Sequence, residues 1–250
     1  MERIRGFDKC IARMRDARAL DELYDSMTEL TEMIGFDRFT LGHDVDLLRP
    51  LDNSVRLTNY DPAWIKEQIE SQFFFDDPVR AVSKKLVRPF SWDEIPNHIA
   101  LTNRQKMILN RAKSYDLNAG ITIPVHLPGE YEGSCSFAAR DIANVHPFGL
   151  PLGHTAATFA FESARQLMRN RDGKCAEPIP TFTSKQREML ILVGRGKTDA
   201  EIAQVMGVSR STAHDHVEAG RRAYGNAQRS LMVLRAMYDG IITFSDIFFR

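Results

Sequence analysis

Three ring side chains with polar edges and one carboxylate fall close together in this chain: Tyr60, Trp64, Asp77 and Trp92. Tyr60 precedes an Asp61-Pro62 turn, and Trp64 lies early in the helix which that turn starts. Asp77 heads the next helix ahead of Pro78, and Trp92 closes a loop after Pro89. Indole and phenol rings bury apolar area and keep one N–H or O–H apiece, while a carboxylate accepts a donor. With Gly120, such a set lines an apolar pocket holding a few directed polar groups, the usual build of a small-ligand site. Each residue also has a plainer reading. Tyr60 and Trp64 suit a core, Asp77 suits a helix cap, and Trp92 suits a loop plug. Phe73, Phe74 and Phe75 fill core or flank a ligand.

A second constellation runs from Phe182 to Tyr224. Thr183 caps a helix, with Gln186 completing a capping box, and Gly194-Arg195-Gly196 stops it. Thr198, boxed with Glu201, opens another helix, on which Ile202, Ala203 and Val205 are expected to face the core; Gly207 ends it. Ser209 then caps a third helix. Ala213, Val217, Gly220 and Tyr224 share its inward stripe, leaving Arg210, Ser211, His214, Asp215 and Glu218 on the opposite face. Helix, tight turn, helix is the arrangement that seats one helix in the DNA major groove. Thr198, Ser209 and Thr212 lie at helix starts, where free N–H groups favour phosphates. Arg221 and Arg222 lie further along, towards the backbone.

Catalytic groupings are absent by comparison. No Ser/His/Asp set, metal-ligand spacing or Gly-rich phosphate loop appears, and His126, His146 and His154 are scattered in loop-like sequence. Cys10, Cys135 and Cys175 form no CxxC pattern, so the expectation is a reducing cytoplasm without zinc or disulfides. The chain has 250 residues, zero formal net charge, 43% hydrophobic and 26% charged residues. That is an ordinary globular composition, enough for one large and one small domain. From residue 183 onward ten Lys/Arg stand against seven Asp/Glu, a mild excess that fits a small DNA module. The charged start MERIRGFDKC lacks the apolar core of a signal peptide. The longest uncharged stretch, 142–161, holds two prolines and two glycines and does not read as a membrane span.

The elements that must position these residues follow from periodicity. Apolar residues at helical spacing run from about Ile4 to Ile34 and stop at Gly35. Strand-like FDRFTLGHDV follows, then a strand, the Asp61-Pro62 turn and a helix. Another helix runs from Pro78 to about Leu86, and a further one from Thr102 to Tyr115. Alternating segments 120–125 and 133–138 form a hairpin through Pro128-Gly129. A helix from Gly153 to Met168 is expected to line one side with Phe159, Ala160, Ser163, Ala164 and Leu167. This order implies an α/β domain, an α-β-α sandwich around an antiparallel sheet. Residues 169–180, rich in charge, Gly and Pro, read as a linker.

TSKQREML, GRGKTDAEIAQVMGVSRSTAHDHV and the trailing Gly225 resemble the C-terminal domain of LuxR-type transcription regulators, an all-α four-helix module whose last helix helps it dimerise. That fourth helix is expected over Ala227–Tyr238, with Leu231, Val233 and Leu234 as apolar contacts. His214 stands where lysine or arginine is common, Gly220 replaces a bulky apolar residue, and the tail GIITFSDIFFR runs past the usual end. The Tyr60, Trp64, Asp77, Trp92 and Gly120 pattern resembles the autoinducer-binding domain of the same family. The implied division is 1–168 for the sensor, 169–180 for the linker and 181–250 for DNA binding.

The resemblance implies that an N-acyl-homoserine lactone is the signal and that there is no cofactor, metal or catalytic residue. Asp77 would accept the ligand amide N–H, Trp64 would donate to the lactone carbonyl, and Tyr60 would bond the acyl carbonyl. Trp92 would pack on the lactone ring, with Ser136 and Thr122 adding hydroxyls. Double-stranded DNA with a palindromic operator, a second copy of the chain and RNA polymerase are the implied macromolecular partners, with no membrane. Gln68, where many members carry a second pocket tyrosine, leans towards an alternative, a receptor for a non-lactone plant or host metabolite. A lactone-hydrolysing enzyme is the third reading, and the missing catalytic groupings weigh against it.

Overall fold

The computed structural model describes residues 2–44, 54–127, 131–171 and 179–249. The expected Pro128-Gly129 turn and most of the expected linker lie outside them. Residues 2–44, 54–126 and 131–171 form one compact unit and residues 179–249 a second.

The first unit is built on a five-stranded antiparallel sheet in the order β2-β1-β5-β4-β3. The strands are β1 (Arg38–His43), β2 (Arg56–Thr58), β3 (Phe90–Ser91), β4 (Ala119–Val125) and β5 (Gly133–Ala139). Alternation assigns its two faces. Phe39, Leu41, Ile121, Ile123, Cys135 and Phe137 are all buried on the side covered by α1 (Glu2–Asp16), α2 (Leu20–Met33) and α8 (Gly149–Arg171). On the other side lie α3 (Pro62–Glu70), α4 (Phe73–Asp76), α5 (Pro78–Ser83), α6 (Ile95–His98) and α7 (Asn103–Lys113).

Local chemistry sets the helix ends. Asp61 accepts the Ala63 N–H at 2.7 Å ahead of Pro62, and Thr102 and Gln105 form a reciprocal capping box. The long apolar period at the start is split into two helices at residues 17–19, where the Arg18 N–H turns to the Glu22 side chain at 2.8 Å. α8 packs through Ala156, Ala157, Ala160, Phe161, Ala164 and Met168. The expected Phe159 is instead exposed, because the run of small residues lets the helix lie close to the sheet on a face turned away from it.

The second unit holds α9 (Ser184–Gly194), α10 (Asp199–Met206), α11 (Arg210–Ala223), α12 (Arg229–Tyr238) and α13 (Phe244–Phe248). Its core gathers Met189, Leu190, Leu192, Ile202, Ala213, Val217, Tyr224, Met232, Val233 and Ile242. Burying each large side chain contributes roughly 1.5–3 kcal/mol. Three expected core contacts point outward instead: Val205 is 56% exposed, Leu231 44% and Leu234 60%. On α12 the inward stripe is Met232, Val233 and Ala236. The tail forms a further helix rather than a loose end. Thr243 caps it with Asp246 as its reciprocal box partner, and Arg187 reaches both the Ile241 carbonyl and Asp246 at 2.8 Å.

Candidate functional site

A cavity of about 930 Å³ lies on the β1/β5/β4 face of the first unit. Tyr60, Trp64, Asp77, Trp92 and Ser136 all line it. Each is placed by a local device. Tyr60 follows β2 and is 9% exposed, with its hydroxyl buried and without a hydrogen-bond partner among the described residues. Burial pushes its phenol well above the usual range, with the Asp77 charge adding to the effect. Trp64 sits in the first turn of α3, with the rings of Tyr115 and Phe73 centred 5.3 and 6.1 Å away.

Asp77 caps α5, accepting the Val79 N–H through Oδ1 at 2.8 Å. The capping and ligand-facing readings therefore meet in one side chain, since a carboxylate has a second oxygen to offer. Burial pushes the Asp77 carboxyl up, and the bond from Val79 and the charge of Arg80 restrain the rise.

Trp92 opens a single turn of 3-10 helix, capped reciprocally by Ser91 and Glu94. Its indole N–H donates to Thr122 Oγ1 at 2.9 Å, and Thr122 lies 2.8 Å from Ser136 Oγ. Thr122 is fully buried and does not reach the cavity wall. The structure thus sets it behind Trp92, not among the residues a ligand would touch. Gly120 makes this stacking possible: a Cβ there would lie 2.7 Å from the indole and 2.6 Å from the Phe137 carbonyl oxygen.

Sequence reasoning missed the polar end of the same cavity. Asp44, just past β1, pairs with Arg80 of α5 at 3.3 Å, and both line the wall. Burial pushes the Asp44 carboxyl up to about 6, against the pull of the Arg80 charge. An isolated Asp after a strand carries no motif, so only the fold brings it to Arg80. Gln68, one turn after Trp64, also lines the cavity.

In the second unit, α10 and α11 are joined by a turn at Gly207, whose φ of 65° suits glycine. Thr198 caps α10 and Ser209 caps α11, Ser209 accepting the Thr212 N–H at 3.0 Å. Arg210, Ser211, Thr212, His214, Asp215 and Arg222 are exposed, while Glu218 and Arg221 are half-buried. Several charges on this surface are already matched. His214 Nδ1 lies 2.8 Å from Asp199, which also binds Arg229. Burial pushes Asp199 up, but its bonds from Arg229 and His214 outweigh that and hold the carboxyl below the usual range. Arg221 bonds Glu218 at 2.7 Å and the Ala227 carbonyl at 2.9 Å, so it braces the end of α11. Arg210 and Arg222 are left as the exposed cations of the helix.

Among the described residues no group of three His, Cys, Asp or Glu could hold a metal ion, and no helix is long and apolar enough to cross a membrane. The family description "Autoinducer binding domain" matches residues 19–164. The chain is 26% identical over 192 residues to the transcriptional activator protein BjaR1 of Bradyrhizobium diazoefficiens, covering 75% of this chain and 76% of that one. It is 26% identical over 224 residues to the transcriptional activator protein VanR of Vibrio anguillarum, covering 89% and 91%. The crystal structure of Escherichia coli SdiA has a similar fold, with a TM-score of 0.61 at 19% identity over 94% of this chain and 97% of that chain.

Proposed function

The chain belongs to the autoinducer-binding-domain family, that of the LuxR-type quorum-sensing transcription regulators rather than enzymes, and from this premise we propose that it binds an N-acyl-homoserine lactone. The observation that carries the reading is that the unpartnered Tyr60 hydroxyl and the Asp77 carboxylate belong to residues lining one cavity together with Trp64 and Trp92. A buried hydroxyl or carboxylate left without its partner is costly, and an amide-bearing ligand supplies both partners. Asp77 accepts the ligand amide N–H, Trp64 donates to the lactone carbonyl, and Tyr60 donates to the acyl carbonyl. Trp92 lays its ring on the lactone, Ser136 adds a hydroxyl, and Thr122 holds Trp92 in place.

Residues 1–168 then act as the sensor, 169–180 as the linker and 181–250 as a four-helix helix-turn-helix reader. α11 enters the major groove with Arg210, Ser211, Thr212, His214, Asp215 and Glu218 towards the bases. The N-termini at Thr198 and Ser209, with Arg222, serve the phosphates. Two copies read the halves of a palindromic operator, in the cytoplasm, and engage RNA polymerase there. A ligand bound only by the native state stabilises it by RT ln(1 + [L]/Kd), roughly 4 kcal/mol at a thousandfold excess.

Expression with and without a lactone synthase, followed by mass analysis of the co-purified ligand and a melting curve, tests this. A co-purified acyl-homoserine lactone and a raised Tm are expected. No lactone and no shift would overturn it. Gln68 on the cavity wall favours a second reading, a non-lactone metabolite, and the same mass spectrum separates the two.

A further inference from the structure

The cavity carries a buried ion pair to which the lactone reading gives no role. Alternation puts Thr40, Gly42 and Asp44 on the cavity face of the β1 segment. Thr40 is in register with Ser136, and Ser136 with Thr122. Asp44 therefore stands four residues along the strand from the group that holds Trp92, on the order of 13 Å at about 3.3 Å per residue. Its side chain is 7% exposed. Oδ1 meets Arg80 Nε at 3.3 Å, while Oδ2 is buried with no hydrogen-bond partner among the described residues. Arg80 lies one turn beyond Asp77 on α5 and donates from Nη1 to the Phe74 carbonyl at 3.1 Å. Asp77, Lys84 and Glu132 are the other charged groups whose fields reach Asp44.

The chemistry of this pair discriminates among tails. A plain alkyl chain laid against it leaves Oδ2 without a donor, which is costly for a carboxylate. A ketone accepts from Arg80 but gives Asp44 nothing. A carboxylate is repelled by Asp44, and an ammonium by Arg80. A hydroxyl serves both, since its O–H donates to Oδ2 and its lone pairs accept from the guanidinium.

We propose that Asp44 and Arg80 form a tail subsite selecting ligands whose acyl group carries a hydroxyl, on an aliphatic chain or an aromatic ring, over the plain hydrocarbon analogue. This rests on the reading that the cavity takes an acyl-homoserine lactone, with the head at Trp92 and the tail running along β1.

The test is calorimetric titration of the full chain with two matched pairs of synthetic acyl-homoserine lactones. One pair is aliphatic, with and without a terminal hydroxyl; the other is aryl, with and without a ring hydroxyl. The wild type is expected to bind the hydroxylated member at least about tenfold tighter in one pair, which identifies the kind of tail. In Asp44→Leu the ratio should fall to within about twofold. Because that variant removes the carboxylate facing Arg80 but keeps the guanidinium charge, the paired Asp44→Leu/Arg80→Met, which removes both charges, is measured beside it. Taking the ratio within one protein cancels general loss of stability. Binding of both members with no preference in the wild type, or an unchanged ratio in the variants, overturns the subsite alone. Binding of no lactone overturns both this and the lactone reading.

Discussion

The Trp92 indole N–H donates to Thr122 at 2.9 Å, and Thr122 in turn shares a 2.8 Å bond with Ser136. One buried hydroxyl therefore ties a cavity wall to the sheet floor and leaves the indole face open to the cavity. Thr122→Val keeps the volume but leaves both the indole N–H and the Ser136 hydroxyl short of a partner. A loss of about 1–3 kcal/mol in stability is expected, with lactone binding weakened about tenfold. Thr122→Ser should restore most of both. Calorimetric melting and ligand titration read the two effects, and a Val variant as stable as the wild type would show that the bond contributes nothing.

Gly120→Ala attacks the same wall from behind. The new Cβ would meet the Trp92 ring at 2.7 Å and the Phe137 carbonyl oxygen at 2.6 Å. The backbone of β5 cannot yield as a flexible side chain can, so the indole must move. Destabilisation of about 1–3 kcal/mol is expected. The chain holds two tryptophans, so Trp64→Phe isolates Trp92, whose emission should shift when Gly120→Ala is added to it. An unchanged spectrum would mean that the wall tolerates the extra carbon.

The parts of the molecule that sequence exposes best are those fixed by short-range chemistry. Thr183 and Thr198 announce their helices because a cap and its box partner lie three residues apart, and Ser209 does so by its cap alone. The antiparallel strands around Thr122 and Ser136 announce themselves by alternation. What stayed hidden depends on long-range packing. Asp44 and Arg80 are 36 positions apart, and no pattern joins them until β1 and α5 line one cavity. Val205, Leu231 and Leu234 satisfy a helical period yet face outward, because periodicity fixes a stripe but not which neighbour covers it. The tail helix at Phe244–Phe248 is too short for a periodic signal. Its Thr243–Asp246 box was the sign available.

The buried Asp44 sets a pH dependence. Its carboxyl is raised from 3.8 to about 6, so the folded state holds the proton more tightly than the unfolded chain. The contribution is fully present below the unfolded pKa and is lost as pH rises through about 6. At about 1.36 kcal/mol per pKa unit, up to roughly 3 kcal/mol of ligand-free stability should disappear between pH 4 and pH 7. Asp44→Asn should flatten this part of the profile. Denaturant melts of the ligand-free protein at pH 4.5, 6 and 7.5 provide the check, and identical slopes for variant and wild type would refute the assignment.

In the second unit, Arg187 reaches the Asp246 carboxylate at 2.8 Å, and Arg195 donates to the carbonyls of Asp246 and Ile247 at 2.8 and 3.0 Å. Ile242, fully buried, plugs the core beside them. The tail is therefore expected to be structural. Asp246→Ala removes the box partner of the Thr243 cap and a largely buried ion-pair partner of Arg187, for a loss of about 2 kcal/mol. Truncation after Gly240 also uncovers the Ile242 site and should cost more. Denaturation of the isolated 179–250 fragment and of the full chain reads both, and wild-type stability after truncation would mark the tail as dispensable.

Asp77→Asn separates the two duties of one side chain. Asn caps helices about as well as Asp, so the bond from the Val79 N–H and the start of α5 should survive. The desolvated charge that burial disfavours is gone, so the ligand-free protein should melt no lower than the wild type. Binding should suffer. With one oxygen held by the cap, the amide presents an N–H towards the ligand's own N–H, donor against donor. A hydrogen bond to a charged group contributes about 1.5–3 kcal/mol, so affinity should fall between about tenfold and more than a hundredfold. Asp77→Ala, by contrast, should lose both the cap, for about 1 kcal/mol, and the ligand bond. Titration calorimetry and melting curves on the three proteins distinguish the duties. An Asn variant that binds the lactone as tightly as the wild type would place Asp77 among the capping residues alone.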